Sequence, residues 1–321
     1  MTKWTTANMP DQTGRTAIVT GTGGIGFETS LALARAGADV IIAGRNPAHG
    51  KAAVDRIKAA SPLACVRFEL LDLANLASIA AFGERMVNTL DRLDILINNA
   101  AVMAPPARRQ TQDGFELQLG TNYLGHFALT AHLLPLLRQS KGSRVISLSS
   151  VAARSGAIDF DDLNALRGYK PMPVYSQSKL ACLLFAFELQ RRSWTSGWGI
   201  SSIAAHPGVS RTDLIPNSAG SRDLSRFVRN WFPFLFQPAA QGALPILFAA
   251  TAPEAKPGGY YGPDRMSETR GYPKSSRVPA LAEDSSIASR LWRASEDLTS
   301  LTFDIAHLTS VSEEQQSGQA R

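Results

Sequence analysis

A doubly wound α/β sheet, parallel and covered by helices on both faces, is the fold class this chain predicts. Three observations predict it. Apolar runs without clean alternation recur from Thr16 to Ala205, as strands buried on both faces require. Helical patterns separate these runs, and strand–helix–strand units build parallel sheets. The first strand also enters a glycine-rich turn that opens a helix.

The elements follow in order. Thr16-Ala-Ile-Val-Thr20 is the first strand, and Gly21-Thr22-Gly23-Gly24-Ile25-Gly26 is the turn. Further strands fall near 38–43, 64–70 and 93–97, with helices near 25–36, 47–60, 75–89 and 112–138. Arg144–Leu148 and Gly199–Ala205 continue the strands, and Pro238 to Ala250 reads as a helix. Ser149, Ser150 and Pro207 then lie just past the carboxyl ends of strands, where open α/β sheets place ligands. No linker interrupts the pattern. We read one Rossmann-type domain over 14–303, an N-terminal extension over 1–13 and a polar tail over 304–321.

Composition narrows the function. Of 321 residues, 44% are hydrophobic and 19% charged, which suits a globular protein with a sizeable core. The net charge of +6 suggests nucleic acid, but no stretch concentrates Lys and Arg into a stripe, so a nucleic-acid partner is not expected. No run reaches the length of a membrane span, and no secretory signal is recognisable. Cys65 and Cys182 read as small buried hydrophobes, and the cytoplasm is the expected compartment. His126 and His206 read as structural, and no metal motif appears.

Chemistry concentrates at two places. A strand, glycine turn and helix cradle a pyrophosphate: the glycines let backbone approach it, and free N–H groups at the helix start bind it. The second strand ends at Gly44-Arg45, without the acidic residue that would hold ribose hydroxyls. A guanidinium there suits a 2′-phosphate, so NADP(H) is favoured over NAD(H). Farther on, Tyr175 and Lys179 stand four apart and share a helix face. A positive charge beside a phenol favours its ionised form, which equips the pair to move a proton at a carbonyl or alcohol oxygen.

Thr20-Gly21…Gly26, Asn98-Asn-Ala-Ala101, Asn122, Ser149-Ser150, Tyr175-x-x-x-Lys179 and Pro207-Gly208 occur in this order. With them the chain resembles the short-chain dehydrogenase/reductase family over roughly residues 14 to 265. Asn122-Tyr-Leu-Gly-His-Phe127, the segment added before Tyr175, and His206-Pro-Gly208 resemble its retinol-dehydrogenase and protochlorophyllide-reductase branch. The resemblance implies that Tyr175 is the general acid/base, that Lys179 tunes it and holds the nicotinamide ribose, and that Ser150 binds the substrate oxygen. It implies that Asn122 anchors a water, that Asp72 and Leu73 contact adenine, and that Asn99 and Ala100 line the adenosine ribose. Val209 and Thr212 would hold the carboxamide, while Gly21, Thr22, Gly24, Ile25 and Gly26 form the phosphate turn. Two departures stand out. The turn is one residue shorter than Thr-Gly-x-x-x-Gly-x-Gly, so Gly23 and Gly24 compete for the middle role. Alanine at 101 replaces a glycine, and would be strained there if its φ were positive.

The expected activity is therefore an NADP(H)-dependent interconversion of carbonyl and alcohol on an apolar small molecule. Reduction of an enone C=C bond, or cofactor sensing without catalysis, are the alternatives. The 158–173 insert either walls the substrate pocket or caps its rim. The 214–236 region, rich in Phe and Trp beside Arg226 and Arg229, is either a lid or packing for the next helix, with peripheral membrane contact a third reading. Monomer and homo-oligomer both stay open.

Overall fold

The computed structural model describes residues 3–209 and 237–303. Its strands are β1 (Thr16–Thr20), β2 (Asp39–Gly44), β3 (Val66–Leu70), β4 (Ile95–Asn98), β5 (Arg144–Leu148), β6 (Ser201–Ala205), β7 (Tyr260–Arg265) and β8 (Arg270–Ser275). They form one sheet in the order β3-β2-β1-β4-β5-β6-β7-β8. Pairing is parallel up to β7, and β8 returns antiparallel. The helices are α1 (Gly24–Arg35), α2 (Pro47–Ala60), α3 (Leu76–Thr89), α4 (Gly125–Gln139), α5 (Pro171–Thr195), α6 (Ala239–Thr251), α7 (Ala280–Glu283) and α8 (Ser285–Thr299).

Both faces of the sheet are buried, and the side chains alternate between them with period two. Ile18, Ile41, Leu96 and Val145 pack in one layer with Phe82, Phe127 and Leu183. Ala17, Val19, Val40, Ile42 and Ile95 pack in the other with Leu33, Ile57 and Ile246. From β1 the chain winds outward to β3, then crosses to β4 on the other side of β1. The crevice at a topological switch point of this kind is where doubly wound sheets bind dinucleotides.

Helix starts follow local chemistry. Asn46 accepts from His49 N at 3.1 Å and Asn75 accepts from Ser78 N at 3.1 Å, satisfying free N–H groups of α2 and α3. At α8, Asp284 Oδ1 accepts from Ser286 N at 2.8 Å and Ile287 N at 3.2 Å. This helix turns Ala288, Leu291, Trp292 and Ser295 inward. The Trp292 ring lies 5.1 Å from Phe127 and 4.5 Å from Phe303, and stacks on Phe185 at 5.7 Å. Burying a ring of this size stabilises by roughly 2–3 kcal/mol, enough to seat α8 behind α4 and α5.

The structure corrects three sequence expectations. The helix foreseen over 112–138 starts later, at residue 117, and is not α throughout: Leu119–Leu124 form a π-helix that runs directly into α4 at Gly125. Gly125 permits the packing there, since a Cβ on it would lie 2.4 Å from Leu73 O. Cys65 is exposed rather than buried, because β3 is the sheet's edge strand and begins one residue later. Ala101 is not among the positive-φ residues, so its methyl carries no backbone strain; Ala104, at φ 45°, takes the left-handed turn instead. Thr212, the 214–236 region and the 304–321 tail lie outside the described residues.

Candidate active site

At the carboxyl edge of β1, Thr20 is a hub. Its hydroxyl oxygen accepts from Asn99 N at 2.8 Å and Ala100 N at 2.9 Å, and its carbonyl accepts from Asn99 Nδ2 at 2.6 Å. The Asn99 amide thereby presses on the glycine turn. A Cβ on Gly21 would lie 2.8 Å from Asn99 Nδ2, and one on Gly26 would lie 2.6 Å from Gly21 O. Gly21 and Gly24 have φ of 101° and 52°, where a side chain would be strained. Gly24 opens α1 and Gly23 caps it in extended conformation, which settles how the shortened turn is built. Gly21 and Gly26 of the turn that also holds Thr22, Gly24 and Ile25 thus pack against Asn99, and Gly21 against Ala100, at the switch point.

Beside them, Gly44 leaves room for Thr22, whose Cγ2 would lie 2.9 Å from a Cβ there. An acidic side chain at this position would meet the turn. Arg45 is exposed at the end of β2 and has no ion pair among the described residues. Asp72 and Leu73 follow β3. Asp72 Oδ1 accepts from Ala74 N at 3.0 Å and its N–H donates to Ser78 Oγ at 3.0 Å, so its backbone turn is held in place.

The residues expected to react lie on α5 and just past β5. Tyr175 and Lys179 sit one turn apart on α5, with the Lys179 ammonium 5.9 Å from the centre of the Tyr175 ring. Lys179 Nζ donates to Leu148 O at 3.1 Å, which ties it to the end of β5. The Tyr175 hydroxyl has no hydrogen bond among the described residues, although the residue is only 7% exposed. The two serines divide their labour. Ser149 is buried and donates to Lys179 O at 2.8 Å, fastening α5 to the sheet. Ser150 caps the short 3₁₀ turn Val151–Ser155, accepting from Ala152 N at 3.2 Å, and is half-buried. Its O–H proton is left for another acceptor.

Asn122 braces the site in a way the resemblance did not imply. Its side chain accepts from Val102 N at 2.7 Å, and donates to Val102 O at 3.0 Å and Ser178 Oγ at 2.9 Å. Its carbonyl oxygen faces His126 Nδ1 at 2.9 Å and Cys182 Sγ at 3.2 Å. The main-chain carbonyl is thus taken by side chains, while the side-chain Oδ1 accepts one hydrogen bond and keeps a lone pair. The π-helix sets this carbonyl among side chains, a distortion frequent at functional sites. Val209 differs likewise: its N–H donates to Thr269 O at 2.8 Å and its carbonyl accepts from Gln237 N at 3.0 Å.

His126 completes the link between the two halves. A carbonyl accepts only, so Nδ1 carries the proton and Nε2 accepts from the Thr20 hydroxyl at 2.9 Å. Burial, with the nearby Lys179 charge adding to it, pushes its pKa down to about 4, and it stays neutral. His206 is structural too. Gly208 N donates to its Nδ1 at 3.2 Å, leaving Nε2 to donate to Glu268 Oε2 at 3.0 Å. The insert is knitted to the loop facing it: Tyr169 donates to Pro105 O at 2.8 Å, Arg108 to Asn164 O at 2.9 Å, and Glu116 N to Asn164 Oδ1 at 2.8 Å. Sequence reading missed these ties, which join residues dozens of positions apart and leave no local pattern. Among the described residues no cluster of His, Cys, Asp or Glu could hold a metal ion, and no helix is long and apolar enough to cross a membrane.

The family described as short chain dehydrogenase matches residues 15–222. Mouse retinol dehydrogenase 13 is 42% identical over 299 residues, spanning 90% of this chain and 85% of that protein. Mouse polyprenol dehydrogenase is 39% identical over 296 residues, spanning 91% and 85%. A crystal structure of an uncharacterised protein from Mycobacterium paratuberculosis superposes with a TM-score of 0.78 at 38% identity, covering 95% of this chain and all (100%) of that one. A Shigella flexneri short chain dehydrogenase complexed with NADP shares the fold, at 22% identity and a TM-score of 0.62 over 79% of this chain and 98% of its own. The chain belongs to the short-chain dehydrogenase/reductase family, in its retinol-dehydrogenase-like branch.

Proposed function

We propose that this oxidoreductase uses NADP(H) to interconvert a carbonyl and an alcohol on an apolar small molecule, with Tyr175 as general acid/base. The observation that carries the reading is the Tyr175 hydroxyl, free of hydrogen bonds among the described residues, on the same helix as an ammonium fastened to the strand that delivers Ser150. The glycine turn fits a dinucleotide, because its tight packing on Asn99 tolerates no side chain at Gly21 or Gly26 and presents the start of α1. Arg45 favours NADP(H), offering a guanidinium without an ion pair among the described residues where a 2′-phosphate would lie. Asp72, Leu73, Asn99 and Ala100 would flank the adenosine half, and Lys179 the nicotinamide ribose.

When bound, the nicotinamide supplies or accepts the hydride. The protein's residues handle the oxygen. In the reducing direction the Tyr175 hydroxyl gives its proton to the substrate oxygen while Ser150 donates a hydrogen bond to that same atom. The Lys179 ammonium stabilises the negative charge left on the phenol. Oxidation of an alcohol runs these steps in reverse. Support for an apolar substrate comes from the relatives, which are named for retinol and polyprenol, both long apolar alcohols.

Substituting Tyr175→Phe tests the assignment. Turnover of aldehyde or ketone substrates should fall at least about a thousandfold, because the group assigned to transfer a proton to the oxygen is gone. Binding of NADPH should persist. Undiminished turnover would rule out the assigned role.

A further inference from the structure

The turn between β7 and β8 holds three consecutive residues with left-handed backbone, none of them glycine: Met266, Ser267 and Glu268, at φ of 49°, 55° and 66°. Such strain persists only where surrounding contacts over-determine it, and it clusters at sites of function. The contacts are polar and converge on one carboxylate. Glu268 pairs with Arg154, accepts from His206 Nε2 at 3.0 Å, and accepts from Arg277 N at 3.0 Å. Arg154 also donates to Ser267 O at 3.2 Å. Burial alone would raise the Glu268 carboxyl, but the hydrogen bonds from His206 and Arg277 N and the Arg154 charge pull it down to about 2. It is therefore ionised at neutral pH.

Each arm of this cluster ends at a loop of the site. Arg154 lies on the turn that Ser150 caps. His206 accepts from Gly208 N at the end of β6, and Val209 N donates to Thr269 O in the strained turn itself. The fit is close: a Cβ on Gly208 would lie 2.3 Å from Thr269 O, and one on Gly262 would lie 2.0 Å from His206 Nε2. The loops after β5 and β6 stand on the far side of β1 from Arg45 and Asp72. A dinucleotide whose adenosine half lies at β2 and β3 therefore places its nicotinamide half between them.

We propose that Glu268 is a positioning residue for the nicotinamide half of the site: through Arg154 and His206 it locks the Ser150 turn and the Pro207–Val209 turn at one spacing. This rests on the dinucleotide reading above. The test measures binding of two probes by tryptophan fluorescence: NADPH, and adenosine 2′,5′-bisphosphate, which carries the adenosine half alone. Glu268→Ala should weaken NADPH about tenfold, since a loosened site must be ordered on binding, and should leave the bisphosphate within about twofold. Arg154→Gln, at a side chain 33% exposed and therefore safe for folding, should show the same asymmetry at about threefold. Glu268→Gln, which keeps acceptor and shape, should recover part of the loss. Equal weakening of both probes, or NADPH affinity unchanged in both Glu268→Ala and Arg154→Gln, would overturn the proposal. A wild-type protein that binds neither probe would instead sink the cofactor reading, and this inference with it.

Discussion

The glycine turn and the β7–β8 turn both bring left-handed backbone to the carboxyl edge of the sheet, by opposite means. In the first, Gly21 and Gly24 adopt it at no steric cost, and Asn99 packs against the bare backbone. In the second, Met266, Ser267 and Glu268 adopt it with side chains in place, held by Arg154 and His206. One is shape written in residue type; the other is shape imposed by long-range charge. Each has its own buried histidine, His126 on Thr20 and His206 on Glu268.

The comparison can be broken by substitution. Gly26→Ala places a methyl 2.6 Å from Gly21 O and 2.7 Å from Asn99 Nδ2, inside a turn with no slack. We expect a loss of about 3 kcal/mol in urea unfolding, and loss of NADPH binding with it. A well-tolerated alanine would mean that the turn is not packed as described.

Acid separates the two ends. His126 has a folded-state pKa of about 4 against 6.5 when unfolded. The unfolded chain then binds more protons between those values, so its stability contribution is complete above pH 6.5 and is lost as pH falls toward 4. The linkage amounts to roughly 3 kcal/mol. Glu268, about 2 when folded against 4.5, keeps its contribution above pH 4.5 and loses it only below that. Unfolding free energies from pH 7 to 3 should therefore decline first through the histidine window, where burial lowers His132 and His206 as well as His126. A flat profile between pH 6.5 and 4.5 would contradict the buried neutral imidazole.

The smallest effect sharpens the contrast. Ser267→Gly should stabilise the protein by roughly 0.5 kcal/mol, since relief of left-handed strain slightly exceeds the added freedom of the unfolded chain. It should leave NADPH affinity unchanged, because the Glu268 contacts remain. A rise in melting temperature checks it.

What could be read from the chain follows the same division. β1, its turn and α1 are contiguous, and their glycines and apolar residues carry local meaning; so does the four-residue spacing of Tyr175 and Lys179 on α5. The π-helix was hidden inside an apolar pattern that suits an α-helix throughout, and the Asn122 pairing with Val102 that accompanies it spans twenty residues. The partners of Asn122 and Val209 were hidden for a similar reason: Val102, Ser178, Thr269 and Gln237 lie 20 or more residues from them. Glu268 lies 62 residues from His206 and 114 from Arg154, so no window of sequence contains the cluster. Helix α8 did carry a signal, Asp284 before inward-facing Ala288, Leu291 and Trp292, and the capping residue would have marked its start.

The claim on which all of this turns is geometric: one oxygen is served by Tyr175 and Ser150 above a nicotinamide held by Lys179. Diffraction from crystals grown with NADP⁺ and a carbonyl or alcohol ligand tests it most directly. We predict the nicotinamide ribose against Lys179, the ligand oxygen within hydrogen-bond reach of both the Tyr175 and Ser150 hydroxyls, and the pyrophosphate on the turn from Gly21 to Gly26. Density for the dinucleotide elsewhere, or hydroxyls of Tyr175 and Ser150 directed at different atoms, would contradict the account.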